Sequence, residues 1–184
     1  YIKKRVFFKV YIYKSSLLPG MQAAFVNINL EKNSFLYIKD IMDYGTYNSE
    51  KAKDSIPINR LIKKGDELLV QVSKEPAGTK GARVTTHITL PGRFLVLMPD
   101  TDYLGVSRRI ERSEERDRLK SLVSQLKPEG MGLIVRTEAE GKELQDFIDD
   151  ISFLTGLWEK IKRESAYTNA PALIHKDADI VFRS

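Results

Sequence analysis

The chain has 184 residues, 42% of them hydrophobic and 30% charged, which is the profile of a folded globular protein of one ordinary domain or two small ones. It has no cysteine, which excludes disulfides, thiolate catalysis and Cys-based zinc. No apolar run approaches the ~18–20 residues of a membrane-spanning helix. The net charge of +5 is uneven: residues 1–90 hold 15 Lys/Arg and 8 Asp/Glu, residues 91–184 hold 15 and 17. A basic first half points to a polyanionic partner. Nucleic acid is the commonest such partner, an acidic membrane surface competes, and a solvated basic surface is the plain alternative. No signal peptide is visible. Tyr1 is not an initiator Met, which leaves targeting open. The absence of cysteine fits a reducing cytosol, so a cytoplasmic location is expected.

In chain order, the first half reads as strands. Residues 6–13 (VFFKVYIY) are rich in β-branched and aromatic side chains. Residues 23–28 follow a Pro19-Gly20 turn, and residues 35–38 follow the polar stretch Glu31-Lys32-Asn33. Residues 68–72 follow the turn signal Lys63-Lys64-Gly65-Asp66, and residues 82–88 follow a Gly78/Gly81 loop. Five short strands with Gly and Pro punctuation predict a small β-barrel or sandwich. The long polar segment 40–55 between strands three and four is a functional or mobile loop by length.

Composition changes near Pro91-Gly92. Residues 94–97 predict a strand. Ser113, Glu114 and Glu115 open a helix whose apolar stripe is Leu119, Leu122, Val123 and Leu126. Residues 133–135 predict another strand. A longer helix carries Leu144, Phe147, Ile148, Ile151, Leu154, Trp158 and Ile161 on one face, with Asp149 and Asp150 on its polar face. Residues 172–174 and 180–182 look like a hairpin. The expectation is a mixed α/β (α+β) chain: a barrel domain over residues 1–87 and a small α+β domain over residues 88–184.

Catalytic signals are poor. His87 and His175 lack metal-ligand spacing, and a structural role is expected for His87. The segment Gly78-Thr79-Lys80-Gly81 is glycine-rich and basic, but it is not a phosphate-binding P-loop. Asp149-Asp150 reads as a solvated helix face.

Binding signals are better. The strand segments Ala24-Phe25-Val26, Phe35-Leu36-Tyr37-Ile38, Gly65-Asp66-Glu67-Leu68 and Gly81-Ala82-Arg83-Val84 resemble the OB fold of the ribosomal S-one type, a five-stranded barrel that binds single strands on one face. On such a face Phe25 and Phe35 would stack on bases, and Lys74, Lys80 and Arg83 would contact phosphates. The alternative is that both rings are core, because strand aromatics commonly are.

A longer resemblance runs through Gly20-Met21-Gln22-Ala23-Ala24-Phe25-Val26, Gly78-Thr79-Lys80-Gly81-Ala82-Arg83-Val84-Thr85, Leu90-Pro91-Gly92-Arg93-Phe94-Leu95-Val96, and Pro128-Glu129-Gly130-Met131-Gly132-Leu133-Ile134-Val135-Arg136-Thr137. In these motifs and their order the chain is similar to the ribonuclease E/G family. The resemblance implies an OB-fold RNA-binding domain followed by a sensor for a 5′-monophosphate. It matches Phe25, Phe35 and Lys80 to base- and RNA-contacting positions, Arg136 and Thr137 to a phosphate-binding pair, Val96 to a backbone N–H donor, and Gly92 to a neighbour of that site. The other reading of Arg136 is an ion pair with an acidic residue in 138–150. The family's nuclease domain, RNase-H-like subdomain and zinc-linking cysteines would lie beyond Ser184. This chain is therefore expected to bind RNA without cutting it, to have no cofactor of its own (magnesium belonging to the nuclease domain), and to come from a homo-oligomeric family acting in rRNA processing and mRNA decay. The segment Tyr11-Ile12-Tyr13-Lys14-Ser15-Ser16 departs from the family's first strand. A stand-alone OB-fold adaptor with no preference for RNA ends is the competing expectation.

Overall fold

A computed structural model describes residues 6–13, 16–41 and 56–177. The described residues divide into two compact units, residues 88–162 and residues 6–87 with 163–177. The residues after Lys162 thus group with the first half rather than with the segment that begins at residue 88.

The first-half unit contains β1 (Val6–Tyr11), β2 (Leu17–Leu18), β3 (Ala23–Val26), β4 (Ser34–Tyr37), the single-turn helix α1 (Ile58–Leu61), β5 (Glu67–Lys74), β6 (Arg83–Thr85) and the C-terminal β11 (Ala172–Lys176). All five predicted strands form, with ends shifted by a few residues. The sheet has seven strands in the order β11-β1-β5-β6-β4-β3-β2. Only β4 and β6 run parallel.

The expected closed five-stranded barrel is not seen. A strand has two edges, and both edges of β1 are taken, one by β5 and the other by β11. The opposite end of the order is the two-residue β2, paired only with β3. Even so, β1, β3, β4, β5 and β6 all contribute to one core, through Val6, Phe8, Val10, Val26, Leu36, Val70 and Val84, which are at most 4% exposed. Residues Val6, Phe8 and Val10 of β1 face that core. Phe7, on the opposite face, is also buried and meets the His175 ring of β11. This two-sided burial explains why the run reads as continuously apolar rather than alternating. The first arm of the predicted hairpin is β11, which pairs with β1, and its second arm, like residues 42–55 and Lys14-Ser15, lies outside the described residues.

The other unit contains β7 (Leu90–Pro91), β8 (Leu95–Met98), β9 (Leu104–Val106), α2 (Ser113–Leu126), β10 (Gly132–Val135) and most of α3 (Leu144–Tyr167). Its sheet order is β7-β8-β10-β9, with β9 parallel to β10. A parallel pair needs a crossover, and α2 supplies it. Leu119 and Val123 of α2 are fully buried. Helix α3 buries Phe147, Asp150, Leu154, Trp158 and Ile161, whereas Leu144 and Ile148, expected on its apolar stripe, are exposed. Among the described residues no helix is long and apolar enough to cross a membrane.

Gly81 sits where the chain enters β6, and a Cβ there would lie 2.0 Å from the Asn33 carbonyl oxygen. The next residue, Ala82, accepts a hydrogen bond from the Phe35 N–H at 2.8 Å. Backbone on both sides cannot yield cheaply. Gly81→Ala should therefore lower the thermal unfolding midpoint, with a loss of about 1–3 kcal/mol. An unchanged midpoint would show that this junction is looser than its geometry.

Candidate functional site

Strand register gathers the first group of residues. Antiparallel pairing sets Phe25 of β3 opposite Phe35 of β4. Parallel pairing sets Phe35 opposite Arg83 of β6, and the shifted β5–β6 register sets Arg83 opposite Lys74. Four residues separated by up to 58 positions in sequence thus stand in one row across four strands. Ala77 and Lys80 close a tight turn by exchanging backbone hydrogen bonds, which brings Lys80 to the same place. The Lys32 ammonium ties this turn to the opposite wall by donating to the Gly78 carbonyl at 2.7 Å.

The result is an open groove of about 790 Å³ whose lining includes Phe25, Phe35, Lys74, Lys80 and Arg83, all five residues singled out for strand binding. Neither ring belongs to the core: Phe25 is 40% exposed and Phe35 is half-buried. The sequence reading missed Tyr37. It lies two residues along β4 from Phe35 and so on the same face. The Phe25, Phe35 and Tyr37 rings form an edge-to-face ladder with centroid spacings of 5.3 and 4.2 Å. Period-two spacing from Phe35 was the signal that could have found it.

Arg83 is less free than expected. Its Nε and Nη2 both donate to Asp40, at 2.9 and 2.6 Å. Its guanidinium lies 5.1 Å from the centre of the Tyr37 ring. The unattached cations of the groove are better sought in Lys74 and Lys80, both exposed.

A second group forms in the other unit. Gly92 and Arg93 follow β7, and Arg136 follows β10. Arg136 Nη1 donates to the Gly92 carbonyl at 2.5 Å and more weakly to the Arg93 carbonyl at 3.3 Å. Arg136 Nη2 donates to Glu138 Oε1 at 3.1 Å, and the Thr137 hydroxyl donates to Glu138 Oε2 at 3.3 Å. The expected alternative for Arg136, an ion pair with an acidic residue in 138–150, is therefore present. Val96 stands in β8, between Pro91 of β7 and Ile134 of β10. The helical segment after Arg136 is a single 3-10 turn, Thr137–Ala139, too short to act as an anion-binding helix terminus. The Glu138 carboxyl is held below its ordinary value. A hydrogen bond from its own backbone N–H is the largest cause, followed, against burial, by the Arg136 charge, the Thr137 hydroxyl and the Arg109 charge.

Asp150 was expected on a solvated face, and it is instead 8% exposed. Its Oδ1 accepts the Arg93 N–H at 2.9 Å, and its Oδ2 accepts the N–H groups of Phe94 and Leu95 at 2.8 and 2.9 Å. These three donors form the bend between β7 and β8, so a carboxylate is favoured there over water. Gly92 is required by the same contact, because a Cβ would lie 2.6 Å from either carboxylate oxygen. Among the described residues, no group of three or more His, Cys, Asp or Glu side chains could hold a metal ion.

Asp150→Ala should destabilise the chain by about 3 kcal/mol or more in urea unfolding, since two buried donors and one part-buried donor lose their acceptor. A loss under about 1 kcal/mol would mean that water reaches the bend. The segment after Arg136 has a second anchor. Glu115 of α2 accepts from Arg118 Nε and Nη2 at 2.8 Å each and from the Gly141 N–H at 2.8 Å. The Arg118 hydrogen bond, then the Gly141 N–H, holds the Glu115 carboxyl down at about 2 from its ordinary 4.5. A carboxyl depressed by folding contributes stability above its ordinary value and loses it as pH falls through its folded one. Amide exchange at Gly141 should therefore be slow at neutral pH and should accelerate between about pH 4.5 and 2, after correction for intrinsic rates. A flat corrected profile would rule out the anchor.

Comparison with known proteins bears on both groups. The sequence model described as the ribonuclease E/G family matches residues 89–184. The chain is 46% identical over 169 residues to ribonuclease E of Nostoc sp., covering 91% of this chain and 24% of that protein. It is 47% identical over 163 residues to ribonuclease G of Haemophilus influenzae, covering 85% and 33%. It is 46% identical over 156 residues to ribonuclease G of Escherichia coli, covering 82% and 32%. The chain thus spans between a quarter and a third of the length of these relatives. The likeness extends over both units, and this chain belongs to the ribonuclease E/G family.

Proposed function

We propose that this chain is the substrate-recognition part of a ribonuclease E/G-type endoribonuclease: the first-half unit holds single-stranded RNA, and the other unit recognises a 5′-monophosphate. The observation that carries this reading is the groove, where register places exposed aromatic rings beside lysines. Bases stack on such rings for roughly 1–3 kcal/mol each, and lysines follow the phosphate backbone. This unit is read as an OB-type barrel opened between β1 and β2. In its support, β1 and β2 are consecutive in the chain and stand at or next to the two ends of the sheet order, while five strands share one core. In the other unit, Arg136 and Thr137 both donate to a single anionic group, which is the task a terminal phosphate would set them. The whole enzyme would act in the cytoplasm as a homo-oligomer, in rRNA processing and mRNA decay, with magnesium in a nuclease part.

The competing reading is an RNA-binding adaptor indifferent to RNA ends. Three otherwise identical short RNAs, ending in a 5′-monophosphate, triphosphate or hydroxyl, separate the two. Affinity should fall in that order, because the monophosphate carries close to two charges and the hydroxyl none, while the triphosphate needs room beyond the pocket. Arg136→Ala should erase the order and leave internal binding in place. Phe25→Ala should weaken all three RNAs by about 1–3 kcal/mol. Added salt should also weaken all three, and Lys80→Ala should flatten the salt slope by about one counterion. Equal affinity for the three ends would favour the adaptor. Undiminished binding by Phe25→Ala would remove the groove from the account.

A further inference from the structure

We infer that Glu138 is an internal occupant of the phosphate pocket, a carboxylate that the 5′-phosphate of an RNA must displace; this rests on the pocket reading of Arg136 and Thr137 above. The geometry is that of a bound anion. One carboxylate oxygen takes Arg136 Nη2 and the other takes the Thr137 hydroxyl, at 3.1 and 3.3 Å. Two oxygens of a phosphate monoester would span the same two donors.

The three partners differ in freedom. Arg136 is held on its other nitrogen by the Gly92 and Arg93 carbonyls, and its side chain is 18% exposed. Its fork cannot follow Glu138 outward. The Glu138 side chain is 54% exposed and stands on the solvent side of the pair. The backbone beneath it is closed by hydrogen bonds from Ala139 N–H to the Arg136 carbonyl and from Glu140 N–H to the Thr137 carbonyl. The carboxylate can therefore leave by side-chain rotation alone, without unwinding the turn.

Occupancy by Glu138 acts as resident competition for the pocket. A carboxylate carries one charge, as an internal phosphodiester does, whereas a terminal monophosphate carries close to two. Only the terminal group outmatches the resident anion at the guanidinium. Glu138 thus lowers the affinity of every anion that uses the pocket and leaves binding through the rest of the chain unchanged.

The test measures binding of 5′-monophosphate and 5′-hydroxyl decanucleotides of one sequence to the 184-residue chain, to Glu138→Ala, to Glu138→Gln and to Arg136→Ala. The chains are compared at one salt concentration, and folding is checked by thermal unfolding. Glu138→Ala should bind the monophosphate oligomer roughly two- to fivefold more tightly, the range expected when an exposed ion pair is removed. The hydroxyl oligomer, whose internal phosphodiesters carry one charge each, should gain less. Glu138→Gln keeps the shape, removes the charge, and should fall between wild type and Glu138→Ala. Suppose Arg136→Ala removes an end preference that the glutamate variants leave unchanged or reduce. The pocket reading then stands and Glu138 is no occupant. Equal gains for both oligomers would also overturn the inference, since they report general charge rather than displacement. If no chain, including Glu138→Ala, distinguishes the two ends, the pocket reading fails and this inference with it.

Discussion

The parallel pairing of β4 with β6 is the constraint on which the first-half unit depends. It places Phe35 beside Arg83 although 47 intervening residues separate them in the chain. Every other pairing among the described strands of that sheet is antiparallel, and the β4–β6 pair is where the β3–β4 hairpin joins the β5–β6 hairpin. Once joined, the pleat does the rest. Alternate residues Ala24, Leu36 and Val84 go to the core, and Phe25, Phe35 and Arg83 go to the other face. A slip of one residue would exchange these two sets, exposing the core and burying a guanidinium. Gly81 makes the join possible by letting the chain pass against the Asn33 carbonyl.

Charge in the groove is arranged by the same strands. Asp40 follows β4 and holds Arg83 by two nitrogens, which fixes the guanidinium against the Tyr37 ring. An arginine immobilised in this way shapes a wall and polarises a ring more than it seeks a phosphate. Lys74 and Lys80, on the rim, keep their flexible stems and exposed ammonium groups.

In the other unit, one carboxylate organises the corresponding place. Asp150 lies on α3, yet its oxygens set the course of the backbone between β7 and β8, and that course puts the Gly92 carbonyl where Arg136 can reach it. The chain is linked from α3, through the bend, to the guanidinium. Glu115 does similar work from α2, holding Gly141 just after the turn that carries Thr137 and Glu138. Asp150, through the backbone of Arg93 to Leu95, and Glu115, through Gly141, thus fix the course of the chain on either side of the candidate phosphate site.

The sequence by itself determined the local elements and singled out the candidate binding residues. β-branched and aromatic runs bounded by turn residues located the five strands of the first half, and 3.6-residue periodicity located both long helices, because each pattern is a property of contiguous residues. Family motifs singled out Phe25, Phe35 and Lys80, which the fold then brings into one groove. What only the tertiary structure decided depends on partners remote in the chain. The open sheet arises because β11 occupies the β1 edge that barrel closure would need, and no periodicity in residues 172–176 announces that destination. The burial of Asp150 reverses its place on the polar face, because three backbone donors from a segment more than 50 residues away make a carboxylate stable there. Tyr37 joins the ladder, and Glu138 takes the Arg136 fork, for the same reason: local pattern tells which face a side chain occupies, and only the packed chain tells what waits on that face.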